Sequence, residues 1–193
     1  MDYNITTEPA ASSSSPSTRQ WKYDVFLSFR GADTRLNFVA HLINRLLQGG
    51  INTFWDDDQL QKEGDIPREI FEAIEKSRIS IVIFSENYAS STRCLDELAK
   101  ILECKKSQQQ FVLPIFYHVD RSDVRNQRGT FGEAFVEHES RFKDDLNKVN
   151  GWRQALRHAA NLGAWDLNNY WYFSNHLLAI YIYLRIFYFL CCF

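Results

Sequence analysis

Short, nearly continuous apolar runs alternate along this chain with stretches whose apolar residues recur every three or four positions. YDVFLSF (Tyr23–Phe29) is the first apolar run, and the turn residues Arg30, Gly31, Ala32 and Asp33 follow it. A run of this kind predicts a strand buried on both faces. Leu36, Val39, Leu42, Ile43, Leu46 and Leu47 then recur at helical spacing. Asp33 or Thr34 can cap that helix, and Gly49–Gly50 stops it. INTFW (Ile51–Trp55) predicts a second strand, followed by the polar loop DDDQLQKEGD. Pro67 opens the next helix, where its missing N–H costs nothing, with Ile66, Ile70 and Ile74 facing inward. ISIVIFS (Ile79–Ser85) is a third strand, and SENYASSTRCLDELAKI carries the chain into a helix ending near Lys106. FVLPIFY (Phe111–Tyr117) is a fourth strand, whose Pro114 should sit where the ladder needs no donor. Helical texture covers Thr130–Phe142 and Val149–Leu162, and AWDL (Ala164–Leu167) is a candidate fifth strand.

Strands and helices alternating at these lengths predict an α/β fold, a parallel sheet with helices on both faces. Ligands of such sheets bind beyond the C-terminal strand ends, near the point where strand order reverses. The loops there are RGADTR, WDDDQLQKEG, SENYASSTRCL and HVDRSDVR, which hold most of the unusual polar residues. Two common phosphate cradles are absent: no G-x-G-x-x-G follows the first strand, and no G-x-x-x-x-G-K-[ST] occurs.

Length adds boundaries. The 193 residues suit one domain over 21–167, with a Ser-rich, disordered segment at 1–20 and an apolar tail at 168–193. The net charge of -2, with no basic stretch longer than a pair, argues against nucleic acid as a partner. Cys94, Cys104, Cys191 and Cys192 show neither a C-x-x-C spacing nor a secreted disulfide framework. No metal centre is expected, and residues 1–20 lack the apolar core of a signal peptide.

In the third loop Asp96 and Glu97 stand side by side. On a helical wheel of ~100° per residue, Leu95, Leu98, Ile101 and Leu102 form one inward stripe. Asp96 falls opposite it and should meet water as a partner of the helix dipole. Glu97 falls on the flank, where a stem can pack while the carboxylate looks into a cleft. The wheel leaves Glu97 either as an ordinary boundary glutamate or as a group for chemistry.

YDVFLSFRGADTR, WDDDQLQKEGDIPREIFEAIEKSRISIVIFSENYASS, CLDEL, VLPIFYHVDRSDVRNQRGTFGEAF and WRQALRHAANLGAWDL, taken in order, resemble a plant TIR (Toll/interleukin-1 receptor) domain over Trp21–Leu167. The resemblance implies a flavodoxin-like three-layer sandwich with a five-stranded parallel sheet. It also implies hydrolysis of NAD⁺, and often NADP⁺, at the nicotinamide–ribose bond, giving ADP-ribose and cyclic or derived signalling nucleotides. NAD⁺ is then the substrate, and no cofactor is implied. The family's catalytic glutamate stands in the C-L-x-E-L motif, here Glu97. The nucleotide would lie against Arg30, Gly31, Ala32, Asp33, Thr34 and Arg35, with Gly31 allowing close backbone approach. The family's BB loop, here Asp56–Asp65 with Gly64 as its flexible point, gates the site and touches neighbouring protomers.

The same resemblance implies partners: other TIR domains, as homo- or hetero-oligomers. One self-association surface lies on the first helix, where Ala40-His41 replaces the usual Ser-His pair and loses a hydroxyl. A second surrounds Gly132 in TFGEAF. Arg93 occupies a position where many members carry Trp; it can pair with Glu97 or meet a phosphate. The tail is a further departure. Leu177–Phe193 is apolar except for Arg185, which leaves open a membrane anchor, a substitute packing helix or non-native coding. The expected location is the cytoplasm, with the nucleus and a tail-anchored form as alternatives. A TIR-only product, a truncated receptor or a fragment would each fit. A catalytically weak interaction module, modulating full-length immune receptors, is the competing function.

Overall fold

A computed structural model describes residues 21–56, 67–163 and 165–166. Its strands are β1 (Tyr23–Phe29), β2 (Thr53–Trp55), β3 (Ser77–Phe84), β4 (Phe111–Phe116) and the two-residue β5 (Trp165–Asp166). All pair in parallel, in the order β2-β1-β3-β4-β5. The helices are α1 (Gly31–Thr34), α2 (Ala40–Gln48), α3 (Arg68–Glu75), α4 (Thr92–Gln108), α5 (Arg121–Asn126), α6 (Thr130–Arg141) and α7 (Leu146–Asn161).

Strand alternation splits the core in two. Phe26, Val82, Phe84, Val112 and Phe116 pack beneath α3, α4, α6 and α7. Leu27, Phe29, Ile81, Ile83, Leu113 and Ile115 pack against Phe38, Leu42 and Leu46 on the other face. Both faces are therefore covered, which is why the strands read as unbroken apolar runs. Pro114 pairs in register with Val82. Tyr117 N–H donates to the Phe84 carbonyl on β3, so by alternation the N–H that Pro114 lacks would point toward β5. There β5 pairs only with Ile115 and Phe116, and no ladder bond is lost.

Several expectations change. Residues Arg35–Val39 wind as a π-helix between α1 and α2. This wider turn rotates Leu36 off the inner stripe, and it is 91% exposed; Leu47, at the far end, is also half out of the core. Neither Asp33 nor Thr34 caps the helix start, since Arg30 holds the cap position without a side-chain bond. The stretch HVDRSDVR is not all loop: α5 forms there, capped by Asp120, whose carboxylate accepts from Ser122 N–H at 2.6 Å. It is too short to show a period. The Ser-rich segment 1–20, Leu167 and the tail 168–193 lie outside the described residues. Among the described residues, no helix is long and apolar enough to cross a membrane.

Strand order reverses between β1 and β3, whose C-terminal ends open toward diverging connections. That is where the polar residues of the first and third loops come together.

Candidate active site

Ser91 starts α4, its hydroxyl accepting from Cys94 N–H at 3.2 Å. The stripe Leu95, Leu98, Ile101 and Leu102 packs inward as the wheel predicts. The two acids differ from expectation. Asp96 does not simply face water: it accepts the Trp152 indole N–H at 2.7 Å and pairs with Lys148 at 3.2 Å. The reason is α7, which packs over that side of α4 and brings a buried tryptophan needing an acceptor. Glu97 is not half in a cleft but fully buried, because its flank of the helix abuts the end of β1.

The Glu97 carboxylate has two different oxygens. Oε2 accepts from the Ser28 hydroxyl at 2.8 Å. Oε1 has no hydrogen-bond partner among the described residues; Arg93 Nε stands 3.7 Å away, close enough for an ion pair but too far for a hydrogen bond. Burial raises the Glu97 carboxyl from its ordinary 4.5 to about 7, while the Ser28 bond and the Arg93 charge pull the other way. Near neutral pH the acid is thus poised between its two forms. The adjacent Cys94 thiol is a poor nucleophile candidate: burial, reinforced by the Glu97 charge, pushes its proton affinity far up.

Arg93 is itself buried. Its guanidinium pairs with the Asp56 carboxylate and with Glu97, one helical turn on. The Asp56 carbonyl also takes the Arg35 guanidinium at 3.5 Å. Asp56 therefore ties the chain after β2 to both the first loop and α4. It is less exposed than an acid run in a polar loop would suggest.

The first loop is assembled around Asp33. Its carboxylate accepts from Arg30 Nη1 at 2.6 Å, Ser85 Oγ at 2.6 Å and Asn87 N–H at 3.0 Å. It thereby clips the β1 loop to the β3 loop across the strand-order reversal. Thr34 Oγ1 donates back to the Arg30 carbonyl at 3.1 Å. Gly31 is buried, and a Cβ there would meet the Arg35 guanidinium from 3.4 Å. Ala32 is exposed. Arg30, Gly31, Asp33, Thr34 and Arg35 thus lie in one loop, which Arg35 links through Asp56 and Arg93 to Glu97. His41 is exposed on α2 and Gly132 lies on α6, both outside this cluster. A Cβ on Gly132 would come within 2.7 Å of the Gln127 carbonyl, so packing inside the chain already demands glycine there. Gly64 lies outside the described residues.

Two residues near Glu97 escape a reading by motif: Ser28 and Tyr88. Ser28 left a faint trace as the one small polar residue among the apolar positions of LSF, on the same strand face as Phe26. Tyr88 left none.

A five-stranded parallel sheet in the order β2-β1-β3-β4-β5, with apolar packing on both faces, sets the fold class. Residues 22–176 match the TIR domain, and the chain belongs to that family. It is a TIR domain of the kind carried by plant disease resistance proteins. It is 55% identical to TMV resistance protein N of Nicotiana glutinosa over 77% of its own length and 13% of that relative's. Disease resistance protein RPV1 of Vitis rotundifolia is 53% identical over 89% of this chain and 12% of its own. The chain thus spans about an eighth of these relatives. Among solved structures, the TIR domains of the activated Roq1 resistosome, which directly recognises the pathogen effector XopQ, superpose with a TM-score of 0.76. They are 47% identical, over 82% of this chain and 97% of that one.

Proposed function

We propose that this domain, a flavodoxin-like three-layer frame, hydrolyses NAD⁺ at the nicotinamide–ribose bond, with Glu97 as the catalytic carboxylate. The observation that carries this reading is Glu97 itself: a fully buried acid with one oxygen held by Ser28, the other without a hydrogen bond and 3.7 Å from Arg93 Nε. As the C1′–N bond breaks, its electron pair goes to the pyridinium nitrogen, and nicotinamide leaves neutral without needing a proton. The ribose gains oxocarbenium character. An ionised Glu97 in a dry site is well suited to stabilise that cation. Water then attacks C1′, and its proton can pass to Glu97. Arg30 and Arg35, cationic and in the first loop, suit the pyrophosphate.

For Glu97 Oε1 to meet the ribose, Arg93 must move aside. That requirement also favours the second reading, an interaction module with weak turnover that acts on other TIR domains. The α2 surface at His41 and the α6 surface near Gly132 are the proposed contacts, and plant immune signalling from the cytoplasm is the proposed setting. One experiment separates the two. Purified protein, with and without Glu97→Ala, is incubated with NAD⁺ at rising protein concentration while nicotinamide release is followed. Release by the parent and none by a folded variant is expected; equal release by both would refute the assignment of Glu97.

A further inference from the structure

Three buried oxygens lie in line behind Glu97. The Ser28 hydroxyl is 2.8 Å from Glu97 Oε2 and 3.0 Å from the Tyr88 hydroxyl, which in turn is 2.9 Å from the Cys94 carbonyl. Ser28 and Tyr88 are both fully buried. Tyr88 is wedged against Phe84, ring centroids 4.9 Å apart, so its hydroxyl is fixed in place. We propose that Ser28 is a positioning residue for Glu97, that Tyr88 acts only through Ser28, and that the pair forms a hydroxyl relay which reverses direction as Glu97 gains or loses its proton.

Proton counting supports the reversal. When Glu97 is ionised it can only accept. Ser28 then donates to Oε2, and Tyr88 can donate to Ser28. When Glu97 carries a proton on Oε2, that proton goes to Ser28, Ser28 donates to Tyr88, and Tyr88 donates to the Cys94 carbonyl, which accepts only. Each contact at Ser28 is filled in both states. A buried acid can thus change charge without leaving a hydroxyl unpaired, a cost a fixed donor would impose. The relay also holds Oε2 inside the fold, so that Oε1 is the oxygen available to a substrate. The other charged or titratable groups around Glu97 are Arg93 and Asp96 on its own helix, with Cys94 between them. Asp56 lies beyond Arg93, and the Arg30 charge reaches Cys94. None of them touches Oε2.

This inference rests on Glu97 being the catalytic carboxylate, but its test has a readout that needs no turnover. Protein labelled with ¹³C at glutamate side-chain carboxyls is titrated by NMR, and Glu97 is assigned by loss of its signal in Glu97→Gln. Ser28→Ala should raise the Glu97 midpoint by about one pH unit, a tenfold change in proton binding, because the ionised form loses its donor. Tyr88→Phe should raise it by less, and should add nothing in the Ser28→Ala background. Ser28→Thr, which keeps the hydroxyl, should titrate like the parent. In parallel, nicotinamide release by Ser28→Ala should fall about fivefold at pH 7 and recover at pH 9, following the ionised fraction. An unmoved midpoint in Ser28→Ala, or a Tyr88→Phe effect of equal size with and without Ser28, would overturn the relay. Should Ser28→Ala not fold, Tyr88→Phe alone decides: a midpoint equal to the parent's overturns it. If no variant or parent releases nicotinamide while the midpoints move as stated, the hydrolase reading fails and the relay stands.

Discussion

Glu97→Gln should make the protein more stable while removing its proposed chemistry, and the gain should depend on pH. In the fold the Glu97 carboxyl takes up its proton at about 7, against an ordinary 4.5. Below 4.5 both folded and unfolded chains hold the proton, and the fold suffers no charge penalty. Between 4.5 and 7 the unfolded chain releases the proton and the folded one keeps it, so stability falls as pH rises. Above 7 both release it and the loss levels off. At about 1.36 kcal/mol per pH unit, the interval is worth roughly 3 kcal/mol. Glutamine keeps the shape and removes the charge, its carbonyl can still accept from Ser28, and Arg93 retains Asp56 as a partner. The variant should therefore gain roughly 1 kcal/mol at pH 5 and roughly 3 kcal/mol at pH 8. In thermal melts the gain at pH 8 is roughly 6–12 °C for a chain of this size. Urea unfolding of parent and variant at the two pH values measures both numbers. A variant no more stable than the parent at pH 8, or a gain equal at both pH values, would refute the argument that Glu97 is held against its preference for water.

Arg93→Trp should increase nicotinamide release at pH 8 by roughly fivefold, the effect of about 1 kcal/mol of ion pairing lost from the closed arrangement; a rate at saturating NAD⁺ no higher than the parent's would rule out Arg93 as a cover on Glu97. Gly132→Ala should cost about 1–2 kcal/mol in urea unfolding of dilute protein, because its Cβ would lie 2.7 Å from a backbone oxygen that cannot turn aside, less the helix propensity gained by alanine. Parent-like stability with weakened self-association would instead make Gly132 a surface residue first.

The sheet was legible because β1, β3 and β4 are buried on both faces and so read as nearly unbroken apolar runs, and because Gly49–Gly50 and Pro67 bracket their helices as their backbone chemistry requires. Periodicity failed where the helix is not regular. Leu36 fits the apolar spacing after β1, yet the π-turn at Arg35–Val39 turns it outward, and nothing in side-chain spacing encodes a change of hydrogen-bond register. In the site, the wheel set Asp96 and Glu97 on different sides of α4 but did not give the surroundings of either. Direction is local, whereas environment depends on what arrives from elsewhere: Trp152 from α7 beside Asp96, Ser28 from β1 beside Glu97. The Asp33 clip to Ser85 and Asn87 is hidden for the same reason, since it joins residues more than fifty positions apart.

Arg93 becomes intelligible once the cost of Glu97 is counted. A carboxylate suited to stabilising a cation must be kept dry, and keeping it dry costs the fold stability at neutral pH. An arginine one turn earlier offsets that cost by placing a positive charge 3.7 Å from Oε1, and Asp56 then offsets the charge of the arginine. The chain after β2 is thereby fastened to α4. A tryptophan at position 93, which the family resemblance favours, carries no charge to offset that of Glu97 or to pair with Asp56. The arginine shifts the balance toward a closed, more stable site. Any partner or substrate group that draws Arg93 away would at once uncover Oε1 and raise the proton affinity of Glu97. Opening this site and tuning its acid are therefore a single event, carried by one side chain.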